Sequence, residues 1–291
     1  MSKLKLELYK EFILSEFDSG RSCSSIAKEL NTYLQPVTNL VRHYRPNVLL
    51  TPNKGNVHYF DNINSYAKAY IVGFIAADGA LVKTATTTSL TITIKYEDKA
   101  VLEFIKSEIG NSHELKEIVR PFSFNSSKII HHIRYCISDK HITESLNKLG
   151  ITCNKSFTIG NIIHNVPYEY RDAFIIGYFD GDGSVHIRDG LHKNSKGNMV
   201  LDYSLYINIR GTYAFLEGIC EHLGIEKSHI KQFDSIPSLS FANKKDVVRF
   251  FKCYTNLPFY YKRKYDRFLE RINHSSFDKY KQVQTISSSI D

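Results

Sequence analysis

Asp78 and Asp182 occupy matching places in two similar phrases, AYIVGFIAADGALV around residue 70 and AFIIGYFDGDGSVH around residue 174. Each phrase reads as an apolar helix carrying two small residues four apart, Gly73 and Ala77 in the first and Gly177 and Gly181 in the second, with the aspartate immediately after. Residues four apart share a helix face, and small side chains there let two backbones approach closely. The pattern predicts two helices that cross tightly and deliver both carboxylates to the same end. Gly79 and Gly183 are expected to give sharp C-terminal exits into the next strands. Two carboxylates at helix C-termini repel each other and meet the negative ends of the helix dipoles, a poor arrangement without a cation. Magnesium suits such a site, because it bridges carboxylate and phosphate oxygens while keeping several waters. The matching chemistry is metal-assisted hydrolysis of a phosphodiester, which needs no side-chain nucleophile. One DG pair alone is only a helix-ending turn; its recurrence in a repeated context carries the reading.

The elements that position these aspartates also recur. After each phrase comes a strand with one polar face, SLTITIKY (89–96) or YSLYINIR (203–210). A helix follows, over 99–109 with a Gly110 stop or over 213–223 with Gly224. Further strands are expected at 113–119 and 132–138, then at 229–233 and 238–242, and a last helix at 140–149 and 245–254. The fold class is α+β, with two pseudo-symmetric αββαββα units, saddle-shaped antiparallel sheets and a small N-terminal helical unit. The expected division is 1–50 helical, 51–63 linker, 64–165 first half, 166–275 second half and 276–291 a polar tail. In the N-terminal unit, Leu6, Tyr9, Ile13 and Phe17 have helical spacing; SCSSIAKELN and a third helix starting near Pro36 follow. Three short helices in this order look like a helix-turn-helix, which would bring Gln35, Thr38, Asn39 and Arg42 near DNA; a structural cap with polar residues facing water is the other reading.

The two DG phrases resemble the motif that names the LAGLIDADG homing endonucleases, and the likeness covers residues 64 to 270. The resemblance implies a monomeric double-stranded DNA endonuclease that cuts a long, asymmetric target and spreads an intron or other mobile gene. It assigns the metal to Asp78 and Asp182 together with the preceding Ala77 and Gly181, and it makes the cation Mg2+, with Mn2+ a substitute and Ca2+ able to occupy the site without efficient cleavage. Asp180, where the first half has Ala76, is then not the metal ligand. A lysine beyond the last helix of each half points into the active site in similar enzymes, which selects Lys155 and Lys262, with Lys264 the competitor in the KRK cluster. A polar strand-end residue is expected at Asn208, opposed in the first half by Ile94 beside Lys95. Two other functions share this fold class: an RNA-binding maturase acting on intron RNA, and a non-cleaving DNA-binding regulator.

Base reading is expected from the solvated strand faces, since a β-ribbon fits the major groove. The candidates are Thr86, Thr88, Thr91, Thr93, Lys95, Arg188, His192, Lys193, Asn194, Tyr206, Asn208 and Arg210, with Lys264 for backbone contact. DGLHKNSKGNMVLDY (189–203) reads as a long hairpin loop. Composition agrees with a polyanionic partner: the formal charge is +8 and residues 244–271 alone hold nine Lys or Arg against three Asp or Glu. The 42% apolar content can supply a core, and the 19 Tyr and 18 Phe can serve both core and solvated sheet faces. Five scattered cysteines without a CxxC pair argue for reduced thiols, and no apolar run is long enough to span a membrane. An intracellular protein is expected, in cytoplasm, nucleoid or an organelle.

Overall fold

A computed structural model describes residues 6–19, 21–46, 55–84, 87–111, 113–122, 125–153, 155–193, 195–232 and 236–272. The chain divides into two compact units: the described residues up to Val57 with Lys106–Glu114, and His58–Ile105 with the residues from Leu115 onward. The first unit contains α1 (Lys10–Asp18), α2 (Cys23–Glu29) and α3 (Leu34–Tyr44). Ile13, Leu14, Cys23, Ile26, Ala27, Val37, Leu40 and Val41 form its core. Ser22 caps α2 by accepting from the Ser25 amide at 3.1 Å. Asn31 takes a positive φ of 46° in the turn before α3, a conformation asparagine tolerates better than most residues. α3 starts two residues before Pro36, which its first turn accommodates because amides there lack helical partners.

The second unit begins inside the expected linker: Tyr59, Phe60 and Ile63 are buried. Its first half runs α4 (Tyr66–Asp78), β1 (Gly79–Lys83), β2 (Thr88–Lys95), α5 (Lys99–Ile109), β3 (Lys116–Phe122), β4 (Asn125–Ile137), α6 (Lys140–Lys148) and the single turn α7 (Lys155–Thr158). The last turn of α5 belongs to the first unit, where the Ile109 carbonyl accepts from the Asn56 amide at 2.7 Å. The second half repeats the order: α8 (Arg171–Asp182), β5 (Gly183–Lys193), β6 (Met199–Arg210), α9 (Tyr213–Leu223), β7 (Ile230–Lys231), β8 (Ser238–Phe241), α10 (Lys244–Lys252), then α11 (Lys262–Ile272). Two antiparallel four-stranded sheets result, in orders β1-β2-β4-β3 and β5-β6-β8-β7. The fold class read from the repeat is therefore present.

Alternation decides which sheet face is buried. Leu90, Ile92 and Ile94 of β2 are buried, as are Leu205, Ile207 and Ile209 of β6. The residues between them form a polar face. Segment 189–203 corrects the expected long loop: β5 and β6 remain paired from Gly183↔Ile209 to Lys193↔Met199. A ribbon extending into solvent needs ladder hydrogen bonds but no apolar face, so its polar composition looks like a loop. β3 and β4 likewise extend beyond their expected bounds, whereas β7 is reduced to two residues. The stretch 276–291 lies outside the described residues.

Candidate active site

α4 is buried from Ala69 to Ala77 and α8 from Ala173 to Asp180, so neither has a polar face. Helices of this kind belong in a core, here against each other. A Cβ on Gly73 would lie 2.0 Å from the Phe174 carbonyl oxygen, and one on Gly177 would lie 2.0 Å from that of Tyr70. Those reciprocal collisions explain why glycine occupies both positions. One turn later, a Cβ on Gly181 would meet the Ala77 Cβ at 2.4 Å and Asp78 Oδ2 at 3.1 Å. The small-residue pattern thus brings the two helix ends together.

Both helices end at glycines and pass directly into the next strands, with no left-handed residue at the exit. Gly79 and Gly183 have φ of −75° and −93° and continue as extended strand. Glycine is required for space: a Cβ would lie 2.6 Å from the Ile75 carbonyl oxygen at Gly79 and 2.5 Å from that of Phe179 at Gly183.

Asp78 is half-buried and Asp182 is more open. Burial, reinforced by the Asp182 charge, raises the Asp78 carboxyl pKa to about 6. Asp182 is raised by burial too, while Lys155, Lys264 and Arg210 oppose the shift. Lys155 is buried and donates to the Ala77 carbonyl at 2.5 Å. Burial lowers its pKa while the two aspartates raise it. An oxygen proposed for the metal thus already accepts from this lysine.

The lysine choice in the second half requires correction. Lys262 is exposed and pairs with Asp266 at 2.7 Å, four residues along α11. Lys264 is buried, donating to the carbonyls of Phe179, Asp180 and Gly183 at 2.6, 2.8 and 2.7 Å. Its enclosure also contradicts the expected backbone contact with DNA. The cause is helix phase: Lys264, Tyr265 and Phe268 form the buried face of α11, and Tyr261 is buried just before it. Burial lowers the Lys264 pKa to about 8, against the pull of Asp180. Asp180 itself is buried; its Oδ2 accepts from the Tyr70 hydroxyl and the Tyr261 amide, both at 2.8 Å. It supports the helix crossing from within.

Strand register also corrects the polar strand-end pair. Ala80 lies opposite Thr91 and Ser184 opposite Asn208, so Asn208 corresponds to Thr91 rather than Ile94, which faces the core. Counting outward from Gly79 and Gly183 would have found this. Asn208 donates to Ser238 and Ser240 at 2.5 and 2.6 Å, while Thr91 donates to Cys136 Sγ at 3.6 Å. Thr93 accepts from Arg134, and Lys95 pairs with Glu97 at 3.4 Å. On the other sheet His186 stacks on Tyr206 with ring centroids 5.3 Å apart, and the Arg188 guanidinium lies 4.9 Å from the Tyr206 centroid. Arg210 and Lys193 are exposed, while Thr88 is half-buried on the core-side phase of β2. Thr86 and Asn194, and the His192 side chain, lie outside the described residues. In the first unit Gln35, Asn39 and Arg42 share the exposed face of α3, with Gln35 donating to Asn39 at 2.9 Å. Thr38 is half-buried and hydrogen-bonds Cys23, which places it in the helix packing. The sequence reading missed Tyr178, buried near both aspartates with its hydroxyl donating to the Arg210 carbonyl at 2.8 Å. Its place inside the repeated phrase was the available signal.

No protein-family profile matches the sequence, and no curated protein does. Among solved structures, the homing endonuclease I-WcaI bound to its DNA recognition sequence superposes with a TM-score of 0.50, 14% identity, and coverage of 79% of this chain and 92% of that one. The chain has the LAGLIDADG fold. Two further structures of this fold are similar at lower TM-score: the LAGLIDADG meganuclease I-AabMI bound to uncleaved DNA (0.47; 12% identity; 76% of this chain, 98% of that one) and the I-LtrWI LAGLIDADG homing endonuclease bound to target DNA (0.45; 15%; 81% and 99%). Among the described residues of this LAGLIDADG fold, no helix is long and apolar enough to cross a membrane.

Proposed function

We propose that the chain is a site-specific double-stranded DNA endonuclease that hydrolyses phosphodiesters with a divalent cation. The observation carrying this reading is the pairing of Asp78 and Asp182 at the ends of two helices whose backbones touch at Gly73 and Gly177. Carboxylate oxygens are hard donors and fit Mg2+, with Mn2+ tolerated. Asp78 and Asp182 would hold the ion, with Gly181 and Ala77 as carbonyl candidates. When bound, it would supply charge neutralisation at the scissile phosphate and the leaving 3′ oxygen. Lys155 and Lys264 hold positive charge near the carboxylates and order the last helical turns. Tyr178 ties α8 to β6 through Arg210, linking the aspartate-bearing helix to a reading strand.

The polar faces of β2 and β6 supply Thr91, Thr93, Lys95, Tyr206, Asn208 and Arg210 for reading base edges, with Arg188 and Lys193 on β5. Exposed Val119, Ile129, Leu191 and Met199 on the long ribbons suit thymine methyl groups. The DNA-bound state of I-WcaI supports a duplex partner for this fold. The unequal halves favour a monomer on an asymmetric site, with intron or mobile-gene homing as its biological setting. The N-terminal unit adds Gln35, Asn39 and Arg42 as a separate DNA-contacting face.

The test is selection of cleaved duplexes from a randomised library with magnesium, followed by Asp78→Asn and Asp182→Asn. Each variant is expected to retain binding and lose at least a hundredfold in double-strand cleavage. Full activity in either would remove its proposed ligand role. Selective binding by the parent protein without nicking would favour a regulator, and tight intron-RNA binding with restored splicing a maturase.

A further inference from the structure

His58, Asp61 and His141 form a second group of ligands that shares no residue with the aspartate pair. Each presents one ligand atom, and these atoms lie within 4.8 Å of one another. His58 Nδ1 is 2.8 Å from Asp61 Oδ2, while His141 Nε2 is 2.7 Å from Asp61 Oδ1. The imidazole centroids are 4.3 Å apart at 62°, so the rings converge on the carboxylate from different directions. The Ser145 hydroxyl donates to Asp61 Oδ1 at 2.7 Å, fixing the carboxylate from α6. We infer that this trio binds a transition-metal cation of the zinc type, stapling residues 58–61 to α6.

Two imidazoles and one carboxylate match zinc, cobalt or nickel better than magnesium, which prefers all-oxygen sites. Tetrahedral bonds of about 2.0–2.1 Å place ligand atoms roughly 3.3–3.4 Å apart, so the contact from an imidazole to whichever Asp61 oxygen takes the metal, 2.8 Å at Oδ2 or 2.7 Å at Oδ1, must open by about 0.6 Å. His58 and His141 side chains are 67% and 40% exposed, which leaves room for that rotation and for a fourth, solvent ligand. His58 and Asp61 lie on the segment entering the unit; His141 and Ser145 lie on α6. Closing that connection with a cation would hold the segment against the helix. Second-sphere hydrogen bonds of the Ser145 kind orient ligands and strengthen metal binding. The inference is independent of nuclease activity.

The test uses the full chain carrying Asp78→Asn and Asp182→Asn, which removes the two carboxylates proposed to hold magnesium. Zinc chloride is titrated calorimetrically, and cobalt(II) is followed by visible absorption. One equivalent of zinc is expected to bind, displace cobalt and raise Tm. His58→Gln and His141→Gln should each weaken zinc at least tenfold, with unchanged circular dichroism without metal; Ser145→Ala should have a smaller effect. Absence of saturable zinc binding, or zinc affinity in both histidine variants equal to that of the parent, would overturn the assignment.

Discussion

At the scale of single residues, the aspartate pair gives the metal-free protein a defined pH signature. Asp78 titrates near about 6 in the folded chain, whereas an ordinary aspartate titrates near about 4. A carboxyl whose pKa rises on folding contributes stability below its unfolded pKa and loses it as pH climbs through the folded one. The contribution of Asp78 therefore declines between about pH 4 and pH 6. Asp78→Asn is expected to gain in Tm relative to the parent across that window without metal, and magnesium should shrink the difference. A difference independent of both pH and magnesium, measured by differential scanning calorimetry, would contradict the proposed charge pair. The two lysines of α11 give a second test. Lys264→Met leaves three carbonyls and Asp180 without their cation, at a cost of about 3 kcal/mol by urea titration. Lys262→Met removes an exposed pair with Asp266 and should move the urea midpoint far less than Lys264→Met does. The aspartates were legible because their phrase is repeated. Lys264 was obscured by a KRK cluster whose rotation is set by the aromatic residues at 261, 265 and 268.

At the scale of elements, the helix crossing depends on backbone contact. Gly177→Ala would place a methyl 2.0 Å from the Tyr70 carbonyl, an atom that cannot rotate away. Such overpacking is expected to cost about 3 kcal/mol, measured by chemical denaturation. Wild-type stability in this variant would mean that the helices can separate at little cost. The close crossing was readable from small residues four apart, and the buried strand faces from strict alternation. The ribbons were harder to read. In β5, Arg188 on one face and Leu191 and Lys193 on the other are exposed, so no apolar period marks this reach as strand; its backbone pairing with β6 does. The Asn208 partner was missed for a related reason: register is fixed from the glycine hinge, not by matching positions along two loops of different length.

At the scale of the molecule, the halves share an order of elements but differ in reach. Their longest hairpins differ: β3 with β4 in the first half and β5 with β6 in the second. At about 3.3 Å per residue, the eleven residues of β5 span about 36 Å, roughly one turn of duplex DNA. Such unequal arms suit an asymmetric target. The helix-turn-helix reading of the first unit predicts that Arg42→Ala weakens duplex binding and lowers the salt-dependence slope by about 1. An unchanged affinity and slope in gel-shift titrations would leave α3 a structural helix with a solvated face.

The bond from Tyr70 to Asp180 makes the two lobes unlike currencies of the same fold. Where Asp180 stands in one lobe the other has Ala76, and where Tyr70 stands in one the other has Phe174. Fusing two copies of the first lobe would strand a buried phenol; fusing two copies of the second would confront an enclosed acid with a phenylalanine. Either symmetric ancestor or engineered homodimer would need compensating substitutions before it could close as this chain does.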